Sequence, residues 1–544
     1  MSIVDLASRI MTLAQDGGAE EALRLGQDAV VRLGATPPAE AAGLWYAIAV
    51  AQHSLGQTQA QAAAADQCLA LARRHGSPGW ASNALSVRAM ALVRQGAVER
   101  ALTDLAVSEA ELAACDDPGL RCWAHTGLGY CYDQMRLYEL AQPHFEAALA
   151  LGASSPMPLP EAPVIDRLNL AEMHLRWADE LERVMPTHAS ADDVRQQVRQ
   201  GLRWSRAALE LATELALPEY TEVSRRLDLC LRAEQEPLDA VPDLRAALDE
   251  PGTDATGSRP GGRGQVATAL GRALRRLGDL EAAVDAARVA VEAAEAPGDW
   301  QVLAAARHLL VELQADQGLP GAVSGREYGR LLSGVLWTQR LHTLQGARTA
   351  VDVERLQRAR EEAEQRARED PLTGLGNRRA LDEAVQQLMP SSGIGHGDRR
   401  DAVAHSLLLF DLDRFKSVND RYGHLVGDEV LRTIAGALSS LARSDDVLVR
   451  LGGDEFVVLA PGATEQAAAD LAARMRAGLD AVDWQALAPG LDVHVSIGVA
   501  TTGGGVSLAD LVRVADEAMY AAKHDRTGGQ PPVNGALTVA ADPR

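Results

Sequence analysis

From the N-terminus to about Ser333, apolar residues recur at three- and four-residue spacing, the mark of helices that each bury one face. Three stretches align: HSLGQTQAQAAAADQCLALA from His53, VRQGAVERALTDLAVSEAEL from Val93 and DQMRLYELAQPHFEAALALG from Asp133. In this register Gly56, Gly96 and Arg136 fall 40 residues apart, and RRLGDLEAAVDAARVAVEAA from Arg275 restarts the theme with Gly278. Each unit reads as helix, short turn, helix. Ala101, Ala141 and Ala282 are small enough to let neighbouring helices approach closely. One helix pair cannot bury its own apolar face, whereas stacked pairs can. The Pro/Gly-rich segments 152–163 and 251–264 read as loops, the second separating two helical subdomains.

From about Val335 to Arg368 there is no proline and charge is dense. This predicts one long helix with Glu and Arg on its solvated faces. Val353, Leu356, Ala363 and Ala367 fit an a/d seam that Arg360 interrupts. A short parallel coiled coil and a single solvated connector both fit. After Asp370 the texture changes. SLLLFDLD (406–413) and HVSIGVA (494–500) are apolar runs suited to buried strands, and VLVRLGGDEFVVL reads as strand, turn, strand. Helical patterns follow at about 425–442, 464–480 and 507–523, and 389–405 reads as a loop. This order predicts a ferredoxin-like α+β sheet with helices on one face. The expected plan is a helical repeat region over 1–333, a connector over 334–368, an α+β domain over 369–528 and a disordered tail over 529–544.

Composition narrows the function classes. Hydrophobic residues are 47% of the 544-residue chain but aromatics only 4%, which favours helix-on-helix packing over an all-β core. A formal net charge of −22 argues against a nucleic-acid or anionic-membrane surface. A small anionic ligand held by local cations or a metal remains compatible. The five cysteines, Cys68, Cys115, Cys122, Cys131 and Cys230, form no CxxC pair. They read as buried free thiols of a reducing cytosol, with a Cys122–Cys131 disulfide as the alternative. The N-terminal stretch has no basic region followed by an apolar core, and no uncharged apolar run approaches the ~20 residues of a membrane helix. The expectation is a soluble, cytoplasmic protein.

The candidate chemistry lies in the α+β half. Asp411 and Asp413 sit where a buried strand ends, on one face by strand alternation, with Leu412 on the other. Asp454 and Glu455 sit at a hairpin tip after Gly452 and Gly453. Carboxylates converging at one sheet end repel unless a cation joins them, and Mg²⁺ suits hard oxygen ligands of this kind. The glycines permit positive φ and let backbone N–H groups approach a phosphate; a solvated turn uses the same residues. Lys416 can meet a phosphate as a point charge. Asn419 and Asp428 can read a base edge, the amide through a donor and an acceptor side by side, the carboxylate by accepting from adjacent N–H groups. Alternatively, Asn419 caps the following helix and Asp428 is solvated.

Five ordered blocks, DPLTGLGNRRAL (370–381), FDLDRFKSVNDRYGHLVGDEVL (410–431), RLGGDEF (450–456), VSIGVA (495–500) and ADEAMYAAKHDR (515–526), together resemble a GGDEF domain of the diguanylate cyclase family. The resemblance implies that two GTP condense to cyclic di-GMP with release of pyrophosphate, in a homodimer of such domains. It implies that Asp411, the Leu412 carbonyl and Asp454 bind Mg²⁺, with Mn²⁺ equally suited to the oxygen-rich set. Asp454 becomes the candidate base for the 3′-hydroxyl and Glu455 a further metal-site acid. Asn419 and Asp428 would read guanine, His424 would stand near substrate, and Gly452, Gly453, Lys416 and Lys523 would hold phosphates. Arg443 and Asp446 fit the family's RxxD inhibitory site, to which Arg474 or Arg476 would contribute; a surface Arg–Asp pair is the plainer reading. Arg526 stands one position early for the family's phosphate-binding arginine.

The repeat region loosely resembles tetratricopeptide repeats, although its 40-residue spacing exceeds the usual ~34. That resemblance implies an α-solenoid that binds a protein or peptide partner or self-associates, against an unspecialised helical bundle. The competing function is a catalytically silent GTP- or cyclic di-GMP-binding module signalling through the repeats. No phosphodiesterase block is apparent.

Overall fold

A computed structural model of the chain describes all residues except 1, 16, 34–36, 153–160, 186, 251–261, 296–299, 389–403, 503–507, 527–535 and 540–544. Two compact units divide it, Met1–Leu356 and Gln357–Arg544.

The first unit is helical. Its elements begin with α1 (Ile3–Gln15), α2 (Ala19–Val31), α3 (Ala41–Ser54), α4 (Thr58–Arg74), α5 (Pro78–Arg94), α6 (Val98–Ala113), α7 (Pro118–Gln134) and α8 (Tyr138–Gly152). They continue with α9 (Ala162–Val184), α10 (Ala191–Glu214), α11 (Pro218–Ala233), α12 (Pro237–Asp249), α13 (Arg263–Arg276), α14 (Leu280–Glu295) and α15 (Trp300–Asp316). Consecutive helices pack together, and the odd-numbered ones also pack on one another in a row from α1 to α15. The unit is thus a stack of helix pairs. The turns that make the pairs are alike. Gly56, Gly96 and Gly278 have φ of 68°, 75° and 85°, and Arg136 has φ 63°. Behind each, a backbone N–H reaches five residues back: Gln57 to Gln52 at 2.9 Å, Ala97 to Leu92 at 2.9 Å, Leu137 to Tyr132 at 2.8 Å and Asp279 to Leu274 at 3.0 Å. This is the left-handed helix cap that favours glycine, and it is the physical content of the 40-residue register. All five cysteines are buried and free, so Cys122 and Cys131 form no bridge.

Two boundaries differ from the expectation. The loop 251–261 lies outside the described residues, but it does not split the unit. Leu227 and Leu244 before it share one core with Val266, Leu270 and Leu309 after it, because stacked pairs bury surface on both neighbours whatever the loop between them. The long helix, α16, spans Pro320–Arg366, starting well before residue 334. Its middle is no solvated connector. Trp337, Arg340, Leu344 and Ala347 are buried, and Leu344 and Ala347 join the core of α7, α8 and α9. Charge density along the sequence marked the exposed faces and hid this buried stripe.

The second unit contains α17 (Arg378–Leu388), β1 (His405–Leu412), α18 (Phe415–Tyr422), α19 (His424–Leu441), β2 (Val447–Gly452), β3 (Glu455–Pro461), α20 (Glu465–Asp480), β4 (Val495–Thr502), α21 (Leu508–Arg526) and β5 (Ala536–Val539). The sheet order is β2-β3-β1-β4-β5. β1 pairs antiparallel with both β3 and β4, β2 with β3, and β5 lies parallel to β4. The ferredoxin-like strand order is as expected, but helices cover both faces. Leu408, Phe410, Phe456, Val458 and Ile497 form one core with α19 and α20. Leu407, Leu409, Val457 and Leu459 form another with α17 and α21. The unbroken run SLLLF in β1 is the reason: a strand apolar on both faces needs cover on both. The tail expected to be disordered contributes β5 at the sheet edge; its flanking residues lie outside the described set. Among the described residues no helix is long and apolar enough to cross a membrane.

Candidate active site

The site is built at one end of the two central strands. In the antiparallel register Asp411 of β1 lies opposite Glu455 of β3 and opposite Ser496 of β4. The Leu412 side chain faces the α19/α20 core, which leaves its backbone at the site, where its N–H meets the Asp454 carbonyl at 3.3 Å. A register shift separates Arg450 from Gly452 in the hairpin. Gly452 (φ 145°) and Gly453 (φ 58°) hold the turn in backbone states closed to most L-residues. Asp413 accepts a hydrogen bond from Ser496 Oγ at 2.8 Å.

The carboxylates crowd one another. Burial and the neighbouring Asp411 push the Asp454 carboxyl above its ordinary value. Glu455 is pushed up by burial and by Asp411, Asp454 and Asp516. Lys523 pulls both back and pairs with Asp411, Nζ to Oδ1 2.7 Å. The reach of Lys523 depends on Gly498 of β4. A Cβ there would stand 2.0 Å from the Ala515 carbonyl of α21, so only glycine lets α21 settle this close to the sheet.

A second cation works on the backbone. Arg450 donates to the Gly453 carbonyl from Nε at 3.1 Å and from Nη2 at 2.7 Å, and its Nη1 meets Asp370 at 3.0 Å. Asp370 in turn accepts from Thr373 N–H and Oγ1 at 2.9 and 2.7 Å. The DPLTGLGN loop is thus fastened to the glycine turn. Gly376 also pairs with Val449 along the outer edge of β2. Asn377 closes the loop, donating to the Ala367 carbonyl at 2.8 Å and accepting from Arg379 N–H at 2.9 Å.

Beside this cluster stand the candidate ligand readers. Lys416 and Asn419 lie on α18, and His424 and Asp428 on α19, the two helices meeting at Gly423 (φ 85°). Asn419 does not cap α19, since Gly423 is that helix's N-cap residue. Its amide lies instead against Gly427, the residue before Asp428. Among the described residues, none of these four side chains has a hydrogen-bond or ion-pair partner. Arg443 and Asp446 shape a turn before β2: Asp446 Oδ2 accepts from the Arg443 N–H at 2.8 Å. No side-chain ion pair joins them among the described residues, and Arg443 is exposed. Arg476 is engaged with the Val495 carbonyl at 3.1 Å, and Arg474 is exposed on α20. The Arg526 side chain lies outside the described set.

Sequence reasoning gave no role to Arg450, Asp370, Asn377, Gly427, Gly498 or Asp516. All six fall inside the five quoted blocks; the spacing along the chain does not show which of them touch.

The C-terminal unit is similar in sequence to known proteins. The family described as "Diguanylate cyclase, GGDEF domain" matches residues 367–528. The diguanylate cyclase DgcP of Pseudomonas aeruginosa is 39% identical over 163 residues, 30% of this chain and 23% of that protein. The diguanylate cyclase DgcM of Escherichia coli is 39% identical over 175 residues, 32% of this chain and 40% of that protein. The match therefore spans less than half of either relative. The coiled coil and GGDEF domain of DgcB from Caulobacter crescentus, solved with c-di-GMP, is 26% identical with a TM-score of 0.30, covering 36% of this chain and 97% of that one. The C-terminal unit of this chain carries, over residues 367–528, a GGDEF domain of the diguanylate cyclase family.

Proposed function

We propose that the protein condenses two GTP into cyclic di-GMP and pyrophosphate. The observation that carries this reading is the contrast at the site. Three carboxylates crowd one sheet end, and four polar side chains beside them have no partner among the described residues. Both features suit a nucleotide with its metal. Among the described residues no three His, Cys, Asp or Glu side chains converge into a closed cage. Mg²⁺ takes one or two carboxylates and completes its shell with waters and phosphate oxygens. Asp411, Asp454 and the Leu412 carbonyl would hold it, with Glu455 alongside; Mn²⁺ accepts the same donors. A hard divalent cation there supplies acidification of the 3′-hydroxyl and neutralisation of phosphate charge.

The chain's own residues do the rest. Asp454 is the candidate to take the 3′-hydroxyl proton. Gly452 and Gly453 admit a phosphate close to the backbone, and Lys416 and Lys523 offer cations to it. Asn419 and Asp428 orient guanine, with His424 near. One domain holds one GTP, so attack of one ribose oxygen on the other α-phosphorus needs two domains face to face, in a homodimer. The stacked helix pairs, in a tetratricopeptide-like solenoid, would take a protein or peptide partner and set the population of that dimer. GTP as substrate places the reaction in the cytoplasm. The exposed Arg443 and the Asp446 beside it would bind product and inhibit.

One observation favours the silent binding module instead: Lys523 already occupies Asp411. Incubating the full chain with GTP and Mg²⁺ separates the readings. Cyclic di-GMP formation that rises with protein concentration supports the cyclase. GTP binding without product, even in an enforced dimer, supports the module.

A further inference from the structure

Gly427 lies on the buried face of α19, one residue before Asp428, where a helix interior ordinarily disfavours glycine. Its φ is helical, so the backbone does not require glycine. The reason is steric. A Cβ at Gly427 would stand 2.0 Å from Asn419 Oδ1 and 3.1 Å from its Cγ, with the Phe415 ring at 3.3 Å behind. Contacts under 3.0 Å do not occur for real Cβ atoms, so any side chain at 427 must evict the Asn419 amide. No hydrogen bond to a described residue holds that amide in place. Only shape does: the gap left by the missing Cβ is where it stands.

We propose that Gly427 is a positioning residue for guanine recognition. By leaving out a side chain it seats the Asn419 amide beside Asp428, so that the two present one polar edge to the base. An amide displaced by one rotamer leaves the buried N–H and C=O groups of a bound base without partners, and recognition sites of this kind lose discrimination steeply when that happens. The inference rests on the reading of Asn419 as a base contact.

The test is a double-mutant cycle in the full chain with Gly427→Ala, Asn419→Ala and both together. GTP and inosine triphosphate, which lacks the 2-amino group, are compared by calorimetric binding with Mg²⁺ and by KM and kcat. Gly427→Ala should weaken GTP binding by about 10-fold or more, narrow the preference for GTP over inosine triphosphate, and change kcat less than KM. The double variant should bind no worse than Asn419→Ala alone. Thermal melting gives a readout independent of ligand. Gly427→Ala should lower Tm or leave it unchanged in the parent, and raise it in the Asn419→Ala background, where the clash is gone and only the helix-propensity gain remains. Parent-like GTP affinity in Gly427→Ala, or losses that multiply in the double variant, would overturn the proposal while leaving Asn419 as a base contact. Parent-like affinity in Asn419→Ala would overturn the base contact itself, and the role of Gly427 with it.

Discussion

The two units treat polar and charged groups in different ways. In the helical unit, charges that leave solvent pair with one another. Arg176 bonds Asp133 and Glu172 at 2.8 and 2.9 Å, and Arg272 pairs with Asp179 and Glu234. Arg340 of α16 donates to the Arg136 carbonyl at 2.6 Å and to Glu139 at 2.5 Å, with its guanidinium 4.6 Å from the Trp337 ring centre. At the sheet end of the GGDEF unit, Asp411, Asp454 and Glu455 crowd one another with Lys523 paired to Asp411, and Lys416, Asn419, His424 and Asp428, exposed or half-buried, have no partner among the described residues. A polar group satisfied within the chain specifies the fold, and one left unsatisfied at a shared edge is available to a ligand. The difference separates a half whose charges are matched within the chain from a half whose polar groups are open to a ligand.

The comparison can be broken at its strongest structural point. Replacing Arg340 by Met should destabilise the helical unit by about 3 kcal/mol, because it strands Glu139 beside the buried Glu180. Calorimetry of the full chain should show the helical transition falling while the GGDEF transition holds. Equal shifts in both would mean that the α16 anchor is not local to the helical unit.

Arg450 sharpens the other side. Lysine cannot bridge Asp370 and the Gly453 carbonyl with one fork, so Arg450→Lys should lower kcat by about 10- to 100-fold through a misplaced glycine turn, with GTP affinity less affected. Loss of GTP binding with normal turnover at saturation would assign Arg450 to the ligand instead.

A pH test follows from one exception within the helical unit. Asp166 is buried and accepts from the Thr126 hydroxyl at 2.9 Å, and burial raises its carboxyl to about 7. The folded state thus holds the proton more tightly than the unfolded chain. Its stability contribution is full below about 4 and is lost as pH rises through about 7. Asp166→Asn, which still accepts from Thr126, should raise Tm at pH 8 by the equivalent of about 1–3 kcal/mol, by less at pH 5, and change little below about pH 4. A pH-independent effect would show that ionisation is not involved.

The smallest effect expected is at Ala216, a helix-ending residue at φ 54°. Ala216→Gly should stabilise by up to about 1 kcal/mol by relieving the left-handed strain, read as a small rise in denaturation midpoint. The corresponding Gly96→Ala should cost a similar amount.

The sequence made legible what depends on local pattern. The 40-residue register became a recurring left-handed cap at Gly56, Gly96, Arg136 and Gly278. The unbroken apolar run of β1 placed Asp411 at the strand's end. What it hid depends on contacts between distant positions. Trp337 and Arg340 look like part of a charged solvated helix until α8 and α9 are seen against them. Gly427 and Gly498 read as ordinary glycines within motifs until the atoms that would meet a Cβ are known. Arg450 and Asp370 lie eighty positions apart, and only the edge pairing of β2 brings them to one turn.

The central claim is that the crowded acids at the end of β1 and β3 serve GTP condensation. The most direct measurement is cyclic di-GMP formation by the full chain with GTP and Mg²⁺, in parent and Asp454→Ala, after calorimetry shows both folded alike. The account predicts product from the parent and a loss of about 10³-fold or more in the variant. Undiminished product from Asp454→Ala, or GTP bound by an enforced parent dimer without any product, would contradict it.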